Sequence, residues 1–238
     1  MTRPLIIAID GPSSAGKTTL SRLLARELGL LHLDTGSMYR AVALAVLEAG
    51  VNISDEAAVG EVAARAAIRL EGDPDSMRVW LDGRDVSDKI RSEQITHASS
   101  VVSTIPRVRR ELVGQQREMG ARGGVVLNGR DSGTVVFPDA DVKFFITAMP
   151  EERARRRYDE ERPGLHDNTF EETLADINAR DQRDSTRADS PLAIAEDAVV
   201  IDTTDLSIED VFQRMLEVVR ERQGHAREGG ATKGGATD

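Results

Sequence analysis

The chain has 238 residues, enough for a sizeable core and near the upper end for one compact domain. It contains no cysteine and only 3% aromatic residues, which excludes disulfides and thiolate metal sites and leaves no aromatic platforms for stacking a run of bases. A formal net charge of −10 disfavours binding to a long polyanion, yet arginine is concentrated mid-chain, a pattern that suits a small anionic ligand in a cleft.

In chain order, nothing after Met1-Thr2-Arg3-Pro4 reads as a secretory apolar segment, and no apolar run approaches the length of a membrane span. A cytoplasmic protein without membrane contact is expected. Ile6-Ile7-Ala8-Ile9-Asp10 is four apolar residues closed by an acid, the pattern of a parallel strand buried on both faces. Gly11 to Thr18 then fits G-x-x-x-x-G-K-[ST], and Leu20, Leu23, Leu24, Ala25 and Leu28 recur at helical spacing. A glycine loop between a strand and a helix start turns backbone N–H groups into an anion cradle, and the helix dipole adds to it. Gly11, Pro12, Ser13, Ser14, Ala15, Gly16, Lys17, Thr18 and Thr19 are therefore expected to hold ATP. Lys17 supplies the cation for the β- and γ-phosphates, and the Thr18 hydroxyl a ligand for Mg²⁺.

Residues 30–34 read as a second short strand, followed by Thr35-Gly36-Ser37-Met38-Tyr39-Arg40 and a helix that stops near Gly50. Ser54-Asp55-Glu56 opens another helix. Residues 67–82 alternate apolar and polar side chains about a turn at Gly72-Asp73-Pro74-Asp75. That is an antiparallel hairpin, foreign to a plain doubly wound sheet and so assigned to an insertion. Helical patterns over 92–103 and 106–119 lead to a third strand at 125–127, and 142–146 is a fourth. Two charged helices, at 151–162 and 169–187, are separated by Pro163-Gly164. A fifth strand spans 198–202 and a closing helix 208–222; from Gly224 the chain is Gly, Ala, Thr and charge, a tail expected to lack structure. This alternation predicts an α/β fold, a five-stranded parallel sheet with helices on both faces. Ligands then belong at the carboxyl ends of the strands, where the glycine loop, Asp34 and Asn128 all fall.

Each further polar segment has two readings. Asp34 and Thr35 are either helix caps or ligand contacts. Asn128-Gly129 suggests a tight hairpin turn, but Ser132-Gly133-Thr134 is no matching strand, so Arg130 and Asp131 fit a phosphate and a polar ring edge better. Arg153, Arg155, Arg156 and Arg157 form either a solvated helix laced with ion pairs or a mobile lid. Arg180, Asp184 and Arg187 share one helical face and suit either a surface network or a phosphate and a ribose. His32, His97, His166 and His225 are scattered and suggest no metal site or catalytic dyad.

Together, residues 9–17, 33–40, 129–138 and 180–184 resemble, in the right order, bacterial cytidylate kinases, and the likeness runs from about residue 4 to 222. The resemblance implies a single P-loop NTPase domain over 1–222, with an enlarged monophosphate-binding insertion at about 37–120, a helical lid at about 151–187 and a tail at 223–238. It implies transfer of the ATP γ-phosphate to CMP or dCMP, with Mg²⁺ as cofactor. Thr35, Ser100, Arg109 and Asp131 would surround CMP, the last three reading cytosine. Arg40 and Arg130 would face the acceptor phosphate, while Arg180, Asp184 and Arg187 would hold the sugar and neighbouring phosphate. Arg153 and Arg157 would close over the transferring group, joining Lys17 and Arg130 as the catalytic set. One departure stands out: the family usually carries an acid where Asn128 stands, so Asp34, through water, or Asp10 would face the metal instead. The partners implied are the small nucleotides ATP, CMP and dCMP, bound by a monomer, with no nucleic acid or membrane.

Two other classes share the loop. A kinase of UMP, thymidylate or shikimate should lack the Gly129-Arg130-Asp131 segment joined to the hairpin. A nucleotide-dependent switch would want Asn-Lys-x-Asp, which does not occur, and a non-catalytic ATP binder is favoured only by Asn128.

Overall fold

The computed structural model describes residues 4–160 and 169–231, with backbone alone for 225–231. The Pro163-Gly164 break expected in the lid lies outside the described residues.

Five parallel strands form the main sheet: β1 (Ile6–Asp10), β2 (Leu31–Asp34), β6 (Val125–Gly129), β7 (Val142–Thr147) and β8 (Val199–Asp202), ordered β2-β6-β1-β7-β8. Alternation along β1 divides the core. Ile7 and Ile9 face α1 (Lys17–Leu28) and α8 (Ile208–Ala231), packing with Leu24, Met215 and Val219. Ile6 and Ala8 face the other side, against Met38 and Val42 of α2 (Thr35–Glu48) and Val108 and Leu112 of α5 (Pro106–Gly120). The sheet is thus covered on both faces, as its apolar runs predict. Its β8 edge is less so, with Val200 left exposed.

The second sheet is antiparallel: β3 (Ile68–Glu71) and β4 (Arg78–Leu81) pair as expected, and β5 (Arg84–Asp85) adds a third strand. Two residues bounded by a turn are too short to leave a periodic signature. The turn of the hairpin reaches back to α1, where Asp75 accepts from Arg26 and pairs with Arg22. Between the hairpin and β6 run α4 (Glu93–Val102) and α5; α3 (Glu56–Arg65) precedes β3. After β7 come α6 (Pro150–Glu160) and α7 (Phe170–Thr186).

One further segment differs from expectation. α8 continues to Ala231, through the first residues of the stretch expected to lack structure. A helix already anchored by Val211, Met215, Leu216 and Val219 adds one hydrogen bond for each further residue fixed, so extension needs no core of its own.

Candidate active site

The carboxyl ends of β1, β2 and β6 open into a cleft of about 1110 Å³. Its floor is the glycine loop. Gly11 has φ +146, and a Cβ there would lie 1.9 Å from the Ile146 carbonyl oxygen, so only glycine fits against β7. Ser14 and Gly16 are both left-handed, at φ +57 and +89, the alternation that gathers backbone N–H groups into a nest. No side chain caps the α1 N-terminus, which leaves its first N–H groups to a ligand. Lys17 is buried, and its Nζ donates to the Pro12 carbonyl at 2.5 Å; an ammonium carries two further protons for phosphate oxygens.

Around Lys17 the cleft is lined by Arg40, Arg130, Arg157 and Arg180. Burial, then Arg130 and Arg180, hold the Lys17 ammonium well below the usual lysine range. Burial and the neighbouring Arg130 bring Arg180 down to about 9, with Asp184 opposing them and Arg40 and Arg157 adding to them. Its Nε is buried with no hydrogen-bond partner. Asp184 is the counter-ion: it accepts from Arg130 Nε at 2.7 Å and Arg187 Nη1 at 3.4 Å. Burial would raise its pKa, but Arg130, Arg180 and Arg187 together hold it low. One carboxylate among three arginines leaves the cluster cationic, which is how a dianionic phosphate is received.

At the far end, Arg109 donates to Asp131 Oδ2 at 2.5 Å while its guanidinium lies 5.3 Å from the Tyr39 ring centroid. Arg187 Nη2 stands 3.8 Å from Asp131 Oδ1, beyond hydrogen-bond reach, so that oxygen keeps acceptor capacity toward the cleft. Ser100 is buried, and its hydroxyl accepts from Arg183 Nε at 3.2 Å; its neighbours Ser99 and Ser103 line the cleft. Thr35 Oγ1 donates to the Asn128 carbonyl at 2.8 Å, tying β2 to β6. A Cβ at Gly129 would lie 2.6 Å from Thr35 Oγ1 and 2.8 Å from Ser132 Oγ, so a larger residue there would displace both hydroxyls.

Two expected residues are placed differently. Arg153 does not line the cleft. Its buried guanidinium donates to the Ser13 and Ala148 carbonyls and to Asp181, which also accepts from Ser13 N–H. It therefore ties α6 to the glycine loop, whereas Arg156 and Arg157, one turn on, are the α6 arginines that line the cleft. The sequence shows an arginine run, but not the phase of the helix against the loop. Asp10 likewise has both carboxylate oxygens engaged, accepting from Ser132 and Gly133 N–H at 2.8 and 2.7 Å and so holding the helical turn Ser132–Val136.

Thr18 and Asp34 meet through Asn128, whose Nδ2 donates to Asp34 Oδ1 at 3.1 Å and to Thr18 Oγ1 at 3.3 Å. Asp34 also accepts from Gly36 N–H and Ser37 Oγ. Three of its lone-pair sites are thus occupied, which suits contact to a cation through water rather than direct ligation. Among the described residues no three His, Cys, Asp or Glu side chains form a metal cage. A hydroxyl and one carboxylate beside a phosphate cradle fit Mg²⁺, which takes few protein ligands and fills its shell with water and phosphate oxygens.

Sequence reasoning missed most of the cleft's other arm: beside Arg156 of the arginine run, Thr203, Thr204, Leu206 and Ile208 continue its lining past the glycine loop. Arg156 is held there by Thr203 Oγ1 and the Thr203 carbonyl. Leu206 and Ile208 are exposed apolar side chains with nothing in their local sequence to mark them as lining.

The family model described as "Cytidylate kinase" matches residues 7–221. The cytidylate kinase of Syntrophotalea carbinolica is 51% identical over 223 residues, spanning 94% of this chain and 95% of that protein. That of Mycolicibacterium paratuberculosis is 49% identical over 229 residues, spanning 95% and 100%. Among solved structures, an uncharacterized protein from Eubacterium ventriosum shares the fold with a TM-score of 0.50 at 10% identity, covering 91% of this chain and 98% of that one.

Proposed function

The chain belongs to the cytidylate kinase family and phosphorylates CMP and dCMP with ATP; on that premise we propose how its residues divide the work. ATP lies on Gly11–Thr19, with the Lys17 ammonium at the transferring phosphoryl group. The acceptor phosphate lies among Arg40, Arg130 and Arg180, and the sugar near Asp184 and Arg187. Cytosine lies against Asp131, Arg109 and the serines of α4. The observation that carries this division is the cluster of cations about one carboxylate: burial and like charges hold Lys17 and Arg180 below their ordinary pKa although Asp184 opposes the shift, so the cluster has room for further negative charge.

Phosphoryl transfer asks the protein for alignment and charge neutralisation rather than covalent chemistry. Lys17, Arg130 and Arg157 supply positive charge to the equatorial oxygens, and Arg153 acts at one remove by bracing the loop. Thr18 and Asp34, the latter through water, would hold Mg²⁺ bound with ATP. When bound, the cation supplies further charge neutralisation of the β- and γ-phosphates. The insertion at 37–120 and the helices α6 and α7 close over the nucleotides and exclude water, which suppresses transfer to solvent. Base choice rests on Asp131. Its carboxylate accepts from the cytosine exocyclic amine, whereas uracil presents an acceptor there. The same reading includes a monomer acting on small nucleotides in the cytoplasm. The net charge of −10 repels polyanions, and no helix among the described residues is long and apolar enough to cross a membrane.

A coupled ADP-release assay offering CMP, dCMP, UMP, AMP, GMP and dTMP tests the division. Turnover is expected with CMP and dCMP and little with UMP. In Asp131→Ala the CMP preference over UMP should shrink by about tenfold or more, since each good base contact contributes ~1–3 kcal/mol of discrimination. An unchanged CMP/UMP ratio in that variant would remove Asp131 from the base site.

A further inference from the structure

Asn128 sits at the end of β6 in register with Asp34 of β2, and His32, two residues back on β2, lies on the same strand face. Ser21 of α1 packs on this group from above, and Ser21, His32 and Asn128 are all buried. The contacts leave one consistent assignment. Asp34 is an acceptor, so the Asn128 amide must turn its Nδ2 toward Asp34 and Thr18, at 3.1 and 3.3 Å. Its Oδ1 then faces the other way, 2.9 Å from His32 Nε2 and 2.9 Å from Ser21 Oγ. Ser21 has one proton and two acceptors within reach, Asn128 Oδ1 and the Thr18 carbonyl at 3.1 Å, while its oxygen lies 2.9 Å from His32 Nε2. It cannot hold Asn128 alone. The dependable donor to Oδ1 is the His32 Nε2–H, and His32 Nδ1, left over, is buried without a partner. A neutral histidine that leaves one ring nitrogen unsatisfied in order to donate from the other is there for that one bond.

We propose that His32 is a positioning residue for the reaction: its Nε2–H fixes the orientation of the Asn128 amide, which in turn holds the Asp34 carboxylate and the Thr18 hydroxyl in the arrangement that receives the divalent cation accompanying ATP. The proposal rests on reading Thr18 and Asp34 as the groups that face that cation. A flipped amide would turn its carbonyl oxygen toward Asp34, and two acceptors would then repel across the site. Groups that orient metal-facing side chains tune affinity by about tenfold or more without touching substrate. The acid that the resemblance leads one to expect at 128 is thus replaced by a neutral amide whose direction is set from behind.

The test is calorimetric binding of ATP with Mg²⁺ and with EDTA, alongside CMP binding, for the wild type, His32→Leu and His32→Gln. Glutamine places an amide N–H near the position of Nε2, whereas leucine keeps volume alone. The ratio of the two ATP affinities should fall about tenfold in His32→Leu, with CMP and metal-free ATP affinities unchanged, and return to within about twofold in His32→Gln. In Asn128→Ala the His32→Leu change should add nothing, because the acceptor it orients is gone. Equal losses in His32→Leu and His32→Gln, or a fall in metal-free ATP and CMP binding that matches the fall with Mg²⁺, would overturn the proposal in favour of packing. Should His32→Leu not fold by thermal melting, the Asn128→Ala ratio decides instead: no change there sinks the relay. Asp34→Ala and Thr18→Ala separate the two layers. If both leave the Mg²⁺ effect intact, the reading of the cation site fails; if they abolish it while the His32 variants do not, His32 alone is wrong.

Discussion

At the scale of single residues, the site's character comes from bases that burial makes reluctant to hold their protons. Lys17 is held well below the usual lysine range by burial and by Arg130 and Arg180, and Arg180 is brought down to about 9 by burial and by Arg130. An anion placed between them reverses both effects and raises both pKa values. The sign follows. In the ligand-free protein these groups begin to release protons below their ordinary range, and nucleotide binding drives the protons back on. Binding of ATP plus CMP near pH 9 should therefore take up protons, the uptake shrinking toward neutrality, and affinity should weaken as pH rises past about 9. Calorimetry in buffers of different ionisation enthalpy reads the uptake directly. Release of protons, or no change across that range, would contradict the cluster as the phosphate site. The glycine loop was legible because its motif is contiguous. The His32–Asn128 contact was not, because it depends on β2 and β6 lying side by side, and residues 96 apart in sequence carry no local signal of that register.

At the scale of elements, α7 shows how far local chemistry sets the site. Thr169 and Glu172 form a reciprocal capping box at its start, and three turns later the same helix delivers Asp181, Arg183 and Asp184 to three different partners, Arg153, Ser100 and Arg130, and Arg180 to the cleft. Thr169→Ala should lower stability by about 1 kcal/mol, read as a shifted denaturant midpoint, and raise the KM for CMP more than that for ATP, because the fraying end lies on the helix that holds the acceptor. A lost midpoint with no change in either KM would show that α7 is held by its far end alone. The same elements show where sequence patterns suffice. The apolar runs of β1, β6 and β7 and the alternation of β3 and β4 mark themselves, because each strand's burial is written in its own residues. What they cannot give is the rotation of one element against another. Arg153 and Arg156 read alike in the sequence of α6, yet one braces the glycine loop and the other lines the cleft, since their difference is an angle about the helix axis fixed by packing against Ala148 and Ser13.

At the scale of the whole molecule, an acidic protein of net charge −10 gathers a cluster of its basic side chains on one concave surface. That arrangement draws small anions to the cleft, but without them it confines like charges away from water, and the fold is less stable for it. Arg180 is the clearest instance, being half-buried, depressed in pKa and unpartnered at a buried Nε. Its removal orphans no counter-ion, because Asp184 keeps Arg130 at 2.7 Å and Arg187 at 3.4 Å. Methionine fills the space of the arginine stem without its charge. Replacing a poorly compensated, partly buried charge with an apolar side chain often stabilises, here by about 1 kcal/mol, or about 2–4 °C in Tm for a protein of this size. Arg180→Met should therefore melt higher than the wild type when both are empty. With CMP the order should reverse: a ligand at a hundred times its Kd stabilises the wild type by about 2.7 kcal/mol, and the variant should lose most of that shift. Differential scanning calorimetry with and without CMP measures both halves. If the empty variant melts lower, Arg180 is a structural ion-pair partner rather than a ligand group, and the acceptor phosphate must be assigned to Arg40 and Arg130 alone.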